Sequence, residues 1–272
     1  PVFEFNIKTV VFTGPNHVVS LSFAGIAFAG RTATDELIVE ALVGRRMNPE
    51  LVLREGVGNV HPSLSHAAEA IRSHLQRRLG PLLTSKTLEV DLVGIQRNRH
   101  GWRPMLWTLR KRSGDLTWSE EVDRSRPAHG SYDFQCQGYA ATPQSRERLA
   151  SALGQDPDDP GAVLEDEIRQ LASESPTVGA SPVLIHIAPT SLLRTGGRSD
   201  DAYEEVGYTL RAPEHMPFMV TPWVVGSRTV RPPSLLKVGS GSVSEFLRRH
   251  GAFGSDPDPV ETERALALFD EA

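Results

Sequence analysis

Residues 6–42 read NIKTVVFTGPNHVVSLSFAGIAFAGRTATDELIVEAL, and the reading of this stretch decides the fold. Thr9 to Phe12 is a β-branched and aromatic run, which suits a strand. Thr13-Gly14-Pro15-Asn16 consists of turn formers. Val18 to Phe28 is a long apolar run with Val18, Val19, Leu21, Phe23 and Ile26, the composition of a buried strand. Gly25 and Gly30 allow close approach of another backbone or a ligand. A helix opens at Thr32 to Glu36, capped by Thr32 or Thr34, with Asp35 and Glu36 in its positive first turn. Leu37, Ile38, Ala41 and Leu42 form its apolar stripe.

Working outward, the rest of the chain alternates helices and strands. Ser63 caps a second helix with Leu64, Ala68, Ile71, Leu75 and Leu79 inward and Arg72, Gln76, Arg77 and Arg78 outward, stopped by Gly80-Pro81. Leu88–Gln96, Met105–Leu109 and Leu116–Trp118 read as a three-strand meander. Thr142 or Ser145 starts a short helix to Leu153. Ala162 to Ala172 forms another, with Val163, Leu164, Ile168 and Leu171 inward. Val183–Ile187 is a buried strand, with His186 a core histidine. Val206–Leu210 reads as a strand. Phe218–Val225 is apolar but interrupted by Pro222, which limits it to an edge or a kinked strand. A short helix over Ser244–His250 precedes an acidic end with Asp256, Asp258, Glu261, Glu263, Asp270 and Glu271. Trp102, Trp107 and Trp118 are expected to pack in or beside the core and not to form a stacking platform, because no basic groove surrounds them.

Composition narrows the function classes. The chain has 272 residues, 39% hydrophobic and 23% charged, which is ordinary for a globular fold. A net charge of -5 argues against a general nucleic-acid footprint. Cys136 is the single cysteine, so no internal disulfide forms; this fits a reducing, cytoplasmic setting. No apolar run approaches the roughly 20 residues of a membrane span. No metal cluster, dinucleotide fingerprint or P-loop is read, and no cofactor is expected. Gly239-Ser240-Gly241-Ser242 lacks the lysine and spacing of a P-loop. His66 and His74 on the second helix are expected to be solvated or packed.

The stretch over Lys8, the hairpin Val10–Leu21, Ala29-Gly30 and Asp35 resembles the middle of a proteasome β-type subunit, of the N-terminal-nucleophile hydrolase superfamily. The likeness runs over roughly residues 6–188 through the order helix, helix, meander, helix, helix, strand. Lys8 lies farther from Gly30 than the family's lysine does from its glycine, and Gly25, in a second Phe-Ala-Gly, competes for the match. The resemblance implies an α/β (α+β) chain folded as a four-layer αββα sandwich of two antiparallel sheets over residues 1–194, with residues 195–272 a C-terminal extension that wraps a neighbour. It implies a proteasome-like amide or peptide hydrolase subunit of the threonine-peptidase kind, with Lys8 as the catalytic cation and Gly30 as the oxyanion donor. Its partners would be a peptide or protein substrate and further copies in a homo-oligomeric ring, without nucleic acid or membrane.

The nucleophile, a first-residue Thr, Ser or Cys, is not at Pro1. The expectation is an N-terminally incomplete chain whose nucleophile strand precedes Pro1; the remote alternative is a processed Pro1 whose amine acts as a base. The family's Asp and Ser before the last buried strand have Ser175 and Val178 at their places in Ser173–Gly179. That departure supports the alternative, a catalytically inactive structural ring subunit or protein-binding module with the same fold.

Overall fold

A computed structural model describes residues 8–45, 63–99, 101–112, 115–120, 142–155, 159–175, 184–189, 206–211, 218–226, 229–233 and 235–237. The expectations for Pro1, Cys136, Val178, Gly239–Ser242, the 244–250 helix and the acidic end lie outside these residues.

The opening stretch folds as a hairpin of β1 (Thr9–Gly14) and β2 (His17–Gly25), in register from Thr9 opposite Ser22 to Gly14 opposite His17. Strand alternation sends Val10, Phe12, Val19, Leu21 and Phe23 to one face, all buried in a single apolar cluster. The sequence carries the second strand on to Phe28; in the structure it stops at Gly25. There φ is +99°, and a β-carbon would lie 2.1 Å from the Thr87 carbonyl oxygen. A crossing backbone ends the strand, and the Ile26 N–H donates to that same oxygen at 3.1 Å.

A minimal ladder of β3 (Phe28–Ala29) and β4 (Thr32–Ala33) follows, turning at Gly30-Arg31. Helix α1 (Thr34–Val43) starts directly behind it. Its cap position is Ala33, not Thr32 or Thr34. The Thr34 hydroxyl is already committed, donating to the Ile26 carbonyl at 2.7 Å. Helix α2 (Leu64–Leu83) begins after Ser63 as expected but runs through Gly80-Pro81. Burial of Leu79 and Leu83 carries the last turn past the proline. The proline stands so close to the end that its missing N–H costs one ladder bond.

Strands β5 (Leu88–Asn98), β6 (Gly101–Arg112) and β7 (Asp115–Glu120) form the expected meander, longer than the apolar runs alone. Helices α3 (Pro143–Leu153) and α4 (Pro160–Glu174) pack on each other. Their caps are Thr142, accepting from the Ser145 N–H at 3.2 Å, and Asp159, accepting from the Ala162 N–H at 3.2 Å. On α4, Leu171 is buried, whereas Leu164, read as inward, is 37% exposed. Glu165 and Glu167 are buried in its stead, held by Arg169 and Arg148.

Strands β8 (Leu184–Pro189) and β9 (Val206–Arg211) form a hairpin, with His186 exposed and not in the core. Around Pro222 the apolar run splits into β10 (Phe218–Val220) and β11 (Trp223–Val225). Strands β12 (Val230–Arg231) and β13 (Leu235–Lys237) pair with β11 and β10.

The result is an α+β chain with four described helices and a seven-stranded sheet ordered β12-β11-β1-β2-β5-β6-β7. The sheet is mixed, not purely antiparallel, because β11 joins β1 in parallel, Val10 opposite Trp223. Helices α1 and α2 cover one face, packing on β1, β11 and β7. The β8–β9 hairpin packs against β2 and β5. Its Tyr208 lies within electrostatic reach of Arg231. Arg231 points away from the helix-side cluster that holds its neighbour Val230, so the hairpin occupies the other face. The layers therefore run helix, sheet, hairpin. Trp107 and Trp118 pack against the cluster, as the sequence predicts. Among the described residues no helix is long and apolar enough to cross a membrane.

Candidate functional site

Lys8 immediately precedes β1 and continues its ladder: its carbonyl accepts from the Phe23 N–H at 3.1 Å. The side chain is exposed, and among the described residues no carboxylate lies within ion-pair reach of it. Gly30 sits at the tip of the β3–β4 turn with φ +65°, also exposed, and open space surrounds the position of a β-carbon. Its left-handed backbone is what glycine is needed for, whereas the close approach read for both glycines occurs only at Gly25. Two cavities of about 270 and 250 Å³ are lined by α2 with β6–β7 and by α3 with α4; neither includes Lys8 or Gly30.

Around this corner the fold gathers polar groups that sequence reading did not single out as a site. Asp35, on the first turn of α1, is buried at 7% exposure, and its Oδ1 has no hydrogen-bond partner. Burial pushes its carboxyl up to about 6, against the opposing pull of the Glu36 N–H and the Trp223 side chain. Burial likewise raises Glu36, whose Oε2 accepts from the Ala33 N–H at 3.4 Å. A carboxyl titrating close to neutrality is able to exchange a proton under working conditions.

Behind the corner, a polar chain joins the two helices. The Arg77 guanidinium meets His74 Nδ1 at 3.1 Å, and His74 Nε2 meets Glu40 Oε2 at 3.2 Å. An arginine only donates, so Nδ1 is the acceptor and Nε2 carries the proton given to Glu40. Burial is the main cause that lowers the His74 pKa; Glu40 opposes it, and Arg77 and Arg78 reinforce it. Arg78 donates to the same Glu40 oxygen at 3.4 Å and to the Thr32 hydroxyl at 3.5 Å. The sequence placed Arg78 outward. Its spacing from Ile71, His74 and Leu75 is i+7, i+4 and i+3, a single stripe of α2, and that was the available signal.

On the hairpin side of the sheet, Asp91 is 3% exposed and accepts from the fully buried Thr108 hydroxyl at 2.6 Å. Ser22 stands directly opposite Asp91 on β2, and Ser119 opposite Thr108 on β7. The row is a set of cross-strand hydroxyls around one buried carboxylate. At the turn end of the β1–β2 pair, His17 is buried against Phe12, ring centroids 4.5 Å apart, with Nε2 unpartnered. Burial lowers its pKa to about 4, so the ring is neutral. Among the described residues no group of three His, Cys, Asp or Glu is placed to hold a metal ion.

Comparison with known proteins identifies no relative: no family model, no curated protein and no solved structure matches this chain.

Proposed function

We propose that the chain carries the αββα sandwich of a proteasome β-type, N-terminal-nucleophile hydrolase and acts as an amide or peptide hydrolase subunit. One observation carries the reading. The antiparallel run β1-β2-β5-β6-β7 is covered by α1 and α2 on one face and by the β8–β9 hairpin on the other. This helix, sheet, hairpin succession supports the reading, in which the hairpin would belong to the second sheet and α3 and α4 would supply the fourth layer. In this mechanism the first residue of the mature protein, a Thr, Ser or Cys supplied ahead of Pro1, attacks the substrate carbonyl. The exposed Lys8 ammonium favours the deprotonated nucleophile, and the Gly30 N–H donates to the developing oxyanion. The substrate is a peptide or protein, and the working assembly is a closed ring of identical subunits.

A second reading keeps the fold and drops the chemistry, giving a structural ring subunit or protein-binding module. The exposure of Lys8 and Gly30, outside both cavities, favours it. The two readings separate on the protein made from its complete gene, by N-terminal sequencing and hydrolysis of a fluorogenic peptide panel. The hydrolase reading expects a mature Thr, Ser or Cys terminus and activity that falls at least about a hundredfold in Lys8→Ala. A protein with no such terminus and no turnover supports the second reading. Turnover unchanged by Lys8→Ala removes the lysine's role.

A further inference from the structure

We infer that Arg78 is a positioning residue for the Gly30 corner, acting through Thr32; the functional part of this inference rests on the hydrolase reading above. The corner Ala29–Thr32 is held at its foot, where Ala29 packs against the core and β3 lies on α2, but has little to hold its tip. Its ladder is two residues long, and Gly30 and Arg31 are both exposed. The bonds at the start of α1, Thr34 N–H to the Ala27 carbonyl and Thr34 hydroxyl to Ile26, fix the base of the turn and leave the tip free.

One guanidinium reaches this tip from behind. Arg78 gives Nη2 to the Thr32 hydroxyl at 3.5 Å and Nη1 to Glu40 Oε2 at 3.4 Å. A planar fork with two donors addressed to two segments is a task for arginine; a lysine ammonium is a point charge on a flexible stem. Glu40 is 7% exposed and His74 also donates to it, so the anchor point does not drift. Three segments thus meet at one side chain: the corner, the middle of α1 and the C-terminal half of α2. The groups facing it are Glu40 and, beyond it, Glu36 on α1, His74 and Arg77 on α2, and Thr32 on β4. The amide at Gly30 serves as an oxyanion donor only if its direction is fixed within tens of degrees, and that is what the tether supplies.

The test is amide hydrogen exchange, read by mass spectrometry over residues 28–33 of the full chain, in Thr32→Val, Arg78→Lys and the control Arg72→Lys. Arg72 pairs with Glu69 on the same helix, away from the corner. The inference expects exchange across 28–33 to speed up about fivefold in Thr32→Val and Arg78→Lys, the worth of one weak charge-assisted bond, and to stay unchanged in Arg72→Lys. Exchange at the corner that Thr32→Val and Arg78→Lys leave at the parent rate overturns it, whatever the protein hydrolyses. Thr32→Val keeps the Arg78–Glu40 pair and hence the helix packing, so misfolding of an Arg78 variant leaves the inference open to refutation. If the protein is a hydrolase, both variants lower kcat with KM unchanged. Faster exchange at the corner with kcat intact would leave the tether standing and refute the role of the corner in catalysis.

Discussion

Gly25→Ala and Gly30→Ala make the same chemical change five residues apart and are expected to cost very different amounts. At Gly30 the backbone is left-handed and the space around a new methyl is empty, so the price is conformational, about 1 kcal/mol. At Gly25 φ is +99°, outside the ordinary range of an L side chain, and the methyl would sit 2.1 Å from the Thr87 carbonyl oxygen. That oxygen belongs to backbone and is held by the Ile26 N–H. The separation must open to at least 3.0 Å, which drives β2 away from the start of β5. Overpacking of this kind adds about 1–3 kcal/mol, giving roughly 3 kcal/mol in all for Gly25→Ala. Urea unfolding of both variants, read by far-ultraviolet dichroism with the denaturant slope held common, measures the two losses side by side. Equal losses, or a larger loss at Gly30, would refute the argument that Gly25 is held by a crossing backbone and Gly30 by φ alone.

Two buried groups give pH dependences of opposite sign. The Asp35 carboxyl rises to about 6 in the folded chain, so folding favours its protonated form. Its contribution is full at low pH and is lost as pH climbs from about 4 to 6, and Asp35→Asn should flatten that fall and gain about 2 kcal/mol at pH 7. His17 is depressed to about 4; folding favours its neutral form, so its contribution is full above 6.5 and is lost as pH drops towards 4. In His17→Phe stability between pH 6.5 and 4 should lose that acid-side decline, worth about 2–3 kcal/mol; chemical denaturation at half-unit pH steps checks both variants. Asp91→Ala leaves the buried Thr108 hydroxyl without the carboxylate it donates to at 2.6 Å, and a loss of about 2–3 kcal/mol in the same unfolding assay is expected; a neutral result would mean the carboxylate is not part of the folded core.

The helices and the meander were legible because one face of each is apolar at the right period, as with Val10, Phe12, Val19 and Leu21 on the first hairpin and Ile71, Leu75 and Leu79 on α2. What the sequence hid were effects of partners far along the chain. The run Val18–Phe28 has no internal reason to break at Gly25; the reason is Thr87. Gly80-Pro81 reads as a stop, but the buried leucines on either side of it, Leu79 and Leu83, outweigh one missing N–H. On α4, Leu164 loses its inward place because Arg148 of α3 draws Glu167 into the helix pair. At the candidate site, Lys8, Gly30 and Asp35 came from the order of elements, whereas the contacts of Arg78 and Glu40 and the burial of Asp35 became visible only once α1 and α2 were laid side by side. Asp91 carried no signal at all, since alternation places it on the face opposite Val90 and Leu92 and says nothing of what covers that face.

The parallel seam between β1 and β11 has a consequence for how the protein is made. Val10 is synthesised first of the pair, and its partner Trp223 emerges only after more than two hundred further residues. During translation the β1–β2 hairpin can form at once, yet the outer edge of β1 stays open until β11 arrives, and a ribosome adding about 5–20 residues per second leaves it so for tens of seconds. Closing so long a loop before any reward is slow for any chain. An unpaired edge rich in Val and Phe invites pairing with other nascent chains for that interval. The waiting edge thus ties the yield of folded protein to the time between the synthesis of β1 and that of β11.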